Sequence, residues 1–331
     1  MKALKKLGIV LLSIVVVISL FFLVVNLIPA PKVESTPFTK TTHTLISAHR
    51  GGAELNPENT EMAFDHVILE TSYCDAVEID VKLTKDGRIV IVHDDTINAY
   101  ALDSDAEPVS IIEHTYDELS QYNLGYNFYD REGNRPYENL SLSEAKDLGL
   151  TIMTLDDFLD KYMEAREFLF YLEIKEKGDI SIELSKKIIE MLNQDKYLWW
   201  KERTMLISIS DAAIDYIANN APDFYTGAVG YKIAGSIATS LFMVDAFFKP
   251  NFHCVQTALT NSIGSITIDC STKRFIKSAH KHNQSVCYWG VNDVDAMKRL
   301  VENGADAITT DAPDKLAEIL GIAINKLIFI I

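Results

Sequence analysis

Hydrophobic and polar positions divide this chain into one long apolar run and a regular alternation. Lys2, Lys5 and Lys6 precede a run from Leu7 to about Ala30 in which only Ser13, Ser19 and Asn26 are polar. A bilayer-spanning helix needs about 20 apolar residues, so residues 1–30 are expected to form a membrane anchor. From residue 44 onward, short apolar runs alternate with amphipathic stretches. The runs predict strands at Thr44–Ala48, Ala76–Thr84, Phe168–Lys175, Thr204–Ile209, Thr226–Tyr231, His253–Thr257, Ser285–Trp289 and Ala307–Thr310. The amphipathic stretches predict helices at Glu58–Leu69, Ile180–Leu192, Ala212–Asn219, Thr272–Lys281, Val294–Asn303 and Asp314–Leu320, with Asp211 and Asp293 as N-caps. Strands alternating with helices in this number fit a (β/α)₈ TIM barrel, an α/β fold. A doubly wound open sheet is the rival, but no glycine-rich dinucleotide loop follows the first strand.

Two stretches break the alternation. Asp86-Gly87 lies between strand-like runs, a hairpin signal. A two-residue turn there pairs residue 81 with 92 and 80 with 93, which sets His93 across from Asp80. Residues 98–157 form a long polar insert holding Tyr100, Tyr116, Tyr122, Tyr126, Tyr129 and Tyr137. Such insertions sit over active-site mouths. The expected organisation is an anchor at 1–30, a polar linker at 31–43 with two prolines, a barrel at 44–320 and an apolar tail at 321–331. The tail is too short to span a membrane; it closes the barrel bottom or touches the bilayer.

The anchor reading is preferred to a cleaved signal peptide because the run is long for a signal core and Pro31 follows Ala30. The lysines favour a cytoplasmic N-terminus, which puts the rest of the chain outside the cell membrane as a single-pass protein. With 31 basic against 47 acidic residues, the net charge is −16. That argues against nucleic acid as a partner, which requires a basic face. Cys74, Cys254, Cys270 and Cys287 lack zinc-type spacing and read as buried small hydrophobes, with one disulfide possible outside the cell. Nothing in the sequence sets the oligomeric state.

Candidate chemistry sits at strand ends. The first strand runs into His49-Arg50-Gly51-Gly52. In the second, Glu78 and Asp80 are two apart and so share a face. In the third, Glu173 and Lys175 do the same. Catalytic groups of a barrel come from the carboxyl ends of different strands. Acids on the inward face of a buried strand need something positive between them, and a divalent cation serves. A cation beside histidine and arginine points to phosphate chemistry.

These residues resemble the glycerophosphodiester phosphodiesterase family. The resemblance rests on His49-Arg50-Gly51-Gly52, Asn56-Pro57-Glu58-Asn59-Thr60 with Ala63-Phe64, Glu78-Ile79-Asp80-Val81, Thr84 with Asp86-Gly87, and Val92-His93-Asp94. It continues through Leu172-Glu173-Ile174-Lys175, Trp289-Gly290-Val291-Asn292, and Gly304 to Pro313, in family order. It implies a TIM barrel that hydrolyses glycerophosphodiesters to glycerol 3-phosphate and an alcohol. It also implies His49 and His93 as the acid/base pair, and Glu78, Asp80 and Glu173 as ligands of one divalent cation, Ca²⁺ or Mg²⁺. Arg50 and Lys175 then bind the phosphate, and Asn59 and Trp289 line the substrate pocket. In this family the nucleophile is thought to be the neighbouring glycerol hydroxyl, giving a transient cyclic phosphate that water opens. Met153 stands where the family often has proline, and residues 252–272 match weakly.

Three alternatives stay open at this point. A phosphatidylinositol-specific phospholipase C also uses two histidines on a barrel, without this hairpin or the helix start at Pro57-Glu58-Asn59-Thr60. Lysophospholipase D action on a lysolipid would use the same residues, and the anchor and tyrosine-rich insert suit it. A non-catalytic surface module that binds phosphodiesters would need no acid/base pair.

Overall fold

A computed structural model describes residues 2–39, 41–163, 168–263 and 265–324. Its strands are β1 (Leu45–Ala48), β2 (Ala76–Leu83), β3 (Ile89–Ile91), β4 (Met153–Thr154), β5 (Leu169–Ile174) and β6 (Thr204–Ser208), then β7 (Tyr225–Ala228), β8 (Cys254–Thr257), β9 (Thr260–Ile263), β10 (Ile266–Asp269), β11 (Ser285–Trp289) and β12 (Ala307–Thr310). The order β1-β12-β11-β8-β7-β6-β5-β2 is parallel throughout, and β1 pairs with β2 to close the ring. These are the predicted barrel strands. The widest discrepancy is β7, which stops at Ala228 because the chain turns into a 3₁₀ segment at Gly230–Ile233.

Alternation along each strand separates two cores. Val77, Ile79 and Val81 of β2 face outward into the layer between sheet and helices. Ala76 of the same strand faces inward, with Leu45, Tyr171, Met205, Cys254, Cys287 and Ala307 filling the lower barrel. Phe38, fully buried, plugs that end, its ring 4.9 Å from Tyr171. All four cysteines are buried, and Cys254, Cys270 and Cys287 are free thiols.

The hairpin between β2 and β3 forms, but with a three-residue loop. Val81 pairs with Ile91 and Leu83 with Ile89, so Asp80 faces Val92, whose N–H donates to the Asp80 carbonyl at 2.9 Å. The expected pairing of Asp80 with His93 is therefore off by one residue. The cause is local. Thr84 Oγ1 donates to Asp86 and accepts from the Arg88 N–H, while Gly87, at φ 74°, closes the loop in the left-handed region. Three-residue hairpins with a residue in that region are the next commonest solution after two-residue turns.

The helices differ from expectation in detail. Asp293 caps Val294–Asn303 through its side chain as predicted. Asp211 does not cap: it is the first residue of Asp211–Asn220, and Ser210 stands before it. The stretch expected as Glu58–Leu69 starts later, at Glu61, capped by Thr60, and loosens into a π-helical turn at Asp65–Glu70. The helix Ala234–Phe242 and the β9–β10 hairpin are additional elements. The insert carries β4, three short helices (Asn98–Ala101, Tyr116–Leu119 and Leu142–Asp147) and the start of Leu155–Lys161; capping boxes close the second and third, Thr115 with Glu118 and Ser141 with Glu144. It has its own apolar cluster around Val92, Ile111, Leu119 and Ile152.

The N-terminal run forms one helix, α1 (Lys2–Leu27), whose apolar window is almost entirely exposed. The linker after it packs on the barrel rather than hanging free. The Val33 N–H donates to the His282 carbonyl at 2.9 Å, and Asn283 donates to the Val33 carbonyl and Ser35. Beyond Ile324 the predicted apolar tail lies outside the described residues.

Candidate active site

The turn after β1 sets the first side chains. Arg50 adopts φ 53°, in the left-handed region, followed by Gly51 and Gly52 at φ 84° and 88°. A Cβ on Gly51 would lie 2.8 Å from the Ala63 Cβ, so only glycine lets this turn touch the next helix. Non-glycine residues held at positive φ cluster at functional sites. The strain at Arg50 is held by hydrogen bonds: its N–H donates to Glu78 at 3.1 Å, and the Asn59 N–H donates to its carbonyl at 2.9 Å.

Glu78 and Asp80 point inward from β2, and Glu173 from β5 stands beside Asp80 in the parallel register. The three offer carboxylate oxygens within 4.8 Å of one another. Two cations partly offset them. Arg50 Nε lies 3.3 Å from Asp80, and Lys175 Nζ lies 3.2 Å from Asp80 and 2.8 Å from Glu173. Burial opposes ionisation of Asp80, but Lys175 and Arg50 outweigh it and hold this carboxyl well below the usual range. Glu78 goes the other way: burial, then Asp80 and Glu173, push its carboxyl well above the usual range. Its Oε1 is buried and has no hydrogen-bond partner. An orphaned carboxylate oxygen facing two more carboxylates is what a hard divalent cation would satisfy, since such ions take all-oxygen ligands. The donor set fits Ca²⁺ or Mg²⁺.

Two histidines flank this cluster. His49 Nδ1 is 2.6 Å from Asp311 Oδ1, and His49 Nε2 lies 3.9 Å from Glu78. His93 Nδ1 is 2.6 Å from Asp94 Oδ1. Both aspartates are held below the usual range. For Asp311, burial is outweighed by the bond to His49; for Asp94, the bond to His93 is the largest cause. An ionised carboxylate only accepts, so Nδ1 of each ring carries the proton and Nε2 is left for the cavity. Asn292 braces Asp311 from both sides, donating to Oδ2 and accepting from the Asp311 N–H at 2.9 Å.

His49, Arg50, Glu78, His93, Glu173 and Lys175 line one cavity of about 290 Å³. Its opposite wall is apolar, built from Ile207, Ile209, Val229 and Trp289, the last half exposed at the end of β11. His93 arrives there although its predicted strand register fails, because the chain leaves β3 at Ile91 and turns over the rim. Asn59 does not line the cavity: it is buried beneath it, donating to Asp80 Oδ2 at 2.9 Å. Asp94, Asp311 and the apolar wall carried no role in the sequence reading. Asp94 adjoins His93, and Asp311 ends β12, the place where a barrel puts functional groups. Glu58, quoted only as part of a motif and as a helix start, also carried no role in that reading; its carboxylate takes Arg50 Nη1 at 2.8 Å.

Comparison with known proteins agrees with this geometry. The model of the glycerophosphoryl diester phosphodiesterase family matches residues 49–315. A glycerophosphodiester phosphodiesterase of Bacillus altitudinis is 24% identical over 276 residues, 83% of this chain and 98% of that one. A lysophospholipase D of Rattus norvegicus is 22% identical over 82% of this chain and 85% of its own. Among solved structures, an Oleispira antarctica phosphodiesterase in complex with its product sn-glycerol-3-phosphate superposes with a TM-score of 0.60 at 20% identity, covering 86% of this chain and 99% of the other. With the barrel, the acid cluster and the family match over most of its length, the chain belongs to the glycerophosphoryl diester phosphodiesterase family and is a phosphodiester hydrolase.

Proposed function

We propose that this enzyme cleaves glycerophosphodiesters to glycerol 3-phosphate and an alcohol, with His49 and His93 as the acid/base pair. One observation carries the reading: two imidazoles, each held at Nδ1 by an ionised aspartate, open on the same cavity as Glu78 and Glu173, two of three clustered carboxylates. A binding module would need no such pair. One ring takes the proton from the attacking hydroxyl; the other donates a proton to the leaving alkoxide. An unperturbed imidazole titrates near working pH, which suits both tasks. Arg50 and Lys175 face the phosphate oxygens and offset their charge as it develops. Glu78, Asp80 and Glu173 would hold the divalent cation, which when bound supplies Lewis-acid stabilisation of the phosphodiester. Asn59 serves by fixing Asp80, and Trp289 by walling the substrate.

The apolar wall supports a second reading, lysophospholipase D action, in which the hydrocarbon of a lysolipid would lie against Ile207, Ile209, Val229 and Trp289. We further propose that α1 is a single-pass anchor with a cytoplasmic N-terminus and the barrel outside, since Lys5 and Lys6 flank an exposed apolar helix. The organisation follows as anchor 1–30, linker 31–43, barrel 44–320 with the insert at 98–157, and tail 321–331. The test is product analysis. The full chain is incubated with Ca²⁺ or Mg²⁺ and a panel of glycerophosphodiesters and lysolipids. Glycerol 3-phosphate from the first group supports the main reading, lysophosphatidate from the second supports the other, and no phosphomonoester from either defeats both.

A further inference from the structure

Where α1 meets the barrel decides which way the mouth faces. The helix Ala234–Phe242 follows β7 and runs back beside it, so its C-terminal end lies at the amino ends of the strands, opposite the mouth. The last turn of α1 sits against the chain just after that helix: Asn26 Nδ2 donates to the Met243 carbonyl at 3.3 Å, and Val25 is buried. The linker continues along the same underside. It bonds to His282 and Asn283, just before β11, and ends with Phe38 plugging the barrel before β1. Among the described residues, no free tether separates helix from barrel.

The surface beside this junction is apolar where a water-facing surface would not be. Leu241 is 47% exposed, Phe242 63% and Phe247 67%. Exposed basic residues frame it in a chain whose net charge is −16: Lys249 follows Phe247 by two residues, Arg274 donates to the Leu241 carbonyl, and Lys32 lines the crevice between α1 and Asp245. Aromatic and aliphatic side chains framed by lysine and arginine are the composition of a surface lying in a bilayer interface. The patch is continuous with α1, the one described helix long and apolar enough to span.

We propose that the segment 241–247 is a second membrane contact, which seats the barrel's underside on a bilayer carrying anionic headgroups and turns the catalytic mouth away from it. The proposal rests on reading α1 as a membrane span. It also deepens the functional reading. β2 alone covers about 25 Å at ~3.3 Å per residue, so the mouth opens far from the lipid surface. The substrate class is then the water-borne glycerophosphodiester rather than a lysolipid resident in the same bilayer.

The experiment places a polarity-sensitive fluorophore on single introduced cysteines of the full chain, in vesicles of phosphatidylcholine and phosphatidylglycerol that carry a nitroxide at a shallow acyl position. The native cysteines are buried. Phe242→Cys and Phe247→Cys report the patch, Tyr231→Cys, 90% exposed on the loop after β7, reports the mouth side, and Val16→Cys reports the span. Segments seated in the interface lie about 5–10 Å below the headgroups, so probes at 242 and 247 should lose most of their fluorescence while 231 keeps it. Unquenched probes at 242 and 247, or a quenched probe at 231, overturn the proposal whatever happens at 16. An unquenched probe at 16 overturns the span itself.

Discussion

At the mouth, His49 meets Asp311 at 2.6 Å and His93 meets Asp94 at 2.6 Å; at the underside, His43 meets Asp75 at 3.0 Å and His280 meets Asp306 at 2.7 Å. All four pairs are short, and all join an imidazole to an aspartate. They differ in what each partner does next. The underside aspartates also accept backbone N–H groups, Ile46 by Asp75 at 2.9 Å and Val286 by Asp306 at 2.8 Å, so they latch β1 and β11 to neighbouring segments. There the imidazole bonds through Nε2. At the mouth the bond is through Nδ1, and Nε2 is left toward a cavity that also holds Glu78, Glu173, Arg50 and Lys175. A short histidine–aspartate bond is thus no signature of catalysis by itself. The nitrogen left over, and what it faces, make the difference.

The widest way to break this comparison is to remove the divalent cation that Glu78, Asp80 and Glu173 would hold. Chelation with EDTA should lower turnover by at least ~10³-fold, since Lewis-acid stabilisation amounts to several kcal/mol, and added Ca²⁺ or Mg²⁺ should restore it. Turnover that survives exhaustive chelation would strip the mouth of its distinguishing chemistry. Next come the rings themselves. His49→Ala and His93→Ala should each fold and lose about 10²–10⁴ in kcat. His43→Ala and His280→Ala should leave kcat within twofold of the parent, as order-of-magnitude expectations for residues remote from the reaction. Equal losses at both ends would erase the distinction drawn here.

Asp311→Asn sharpens it further. An amide can offer N–H to Nδ1 and so no longer dictates which ring nitrogen holds the proton. Loss of such a supporting partner typically costs about 10–100-fold. The profile of kcat/KM against pH should change, because the Asp311 carboxylate, which the bond to His49 holds below its usual range, is gone. Asp306→Asn should leave that profile where it was. A lower melting temperature with an unmoved profile in Asp311→Asn would make Asp311 structural, like its counterpart below.

Much of this was legible in the sequence because it is periodic. The inward pair Glu78 and Asp80 follows from the two-residue period of a strand, and the barrel from repeated alternation of strand and helix. What resisted reading depends on contacts made across the chain or on local loop chemistry. Asp311 is 262 residues from His49, and no periodicity joins them. Phe38 sits in a polar stretch that reads as linker, yet it fills the barrel floor. The hairpin register failed because Thr84 and Asp86 hydrogen-bond to each other and stabilise a loop one residue longer than Asp-Gly alone implies. Asn59 looks like a pocket residue by resemblance, but its left-handed backbone, φ 55°, turns its amide under Asp80 instead. The apolar wall of Ile207 and Val229 cannot be told from ordinary core by sequence, since both are aliphatics within predicted strands.

The smaller effects lie at the underside and concern stability. Asp306→Ala leaves the Val286 N–H and the imidazole without their acceptor. Loss of a buried hydrogen-bond partner costs about 1–3 kcal/mol. The melting temperature of the detergent-solubilised chain should fall while kcat stays near the parent's. A large loss of kcat with an unchanged melting temperature would place Asp306 in the reaction and dissolve the contrast.

The subtlest test uses pH. The bond to Asp306 raises the His280 imidazole above its ordinary 6.5; burial pulls the other way, and the charge of Asp306 adds to the rise. A group whose folded value is raised binds its proton more tightly in the native state. Its contribution is complete below the unfolded value near 6.5 and fades as pH climbs through the folded one. His280→Gln removes that titration. The parent's stability advantage over His280→Gln should therefore be larger at pH 5.5 than at pH 8.5. The imidazole is 41% exposed, so solvent screening keeps the difference under ~1 kcal/mol. It is read as the gap between urea midpoints of the two proteins, which cancels every other titrating group they share. A gap that stays constant, or widens toward pH 8.5, would show that the pair does not hold a proton in the folded state, and that the underside latch is the backbone bond of Asp306 alone.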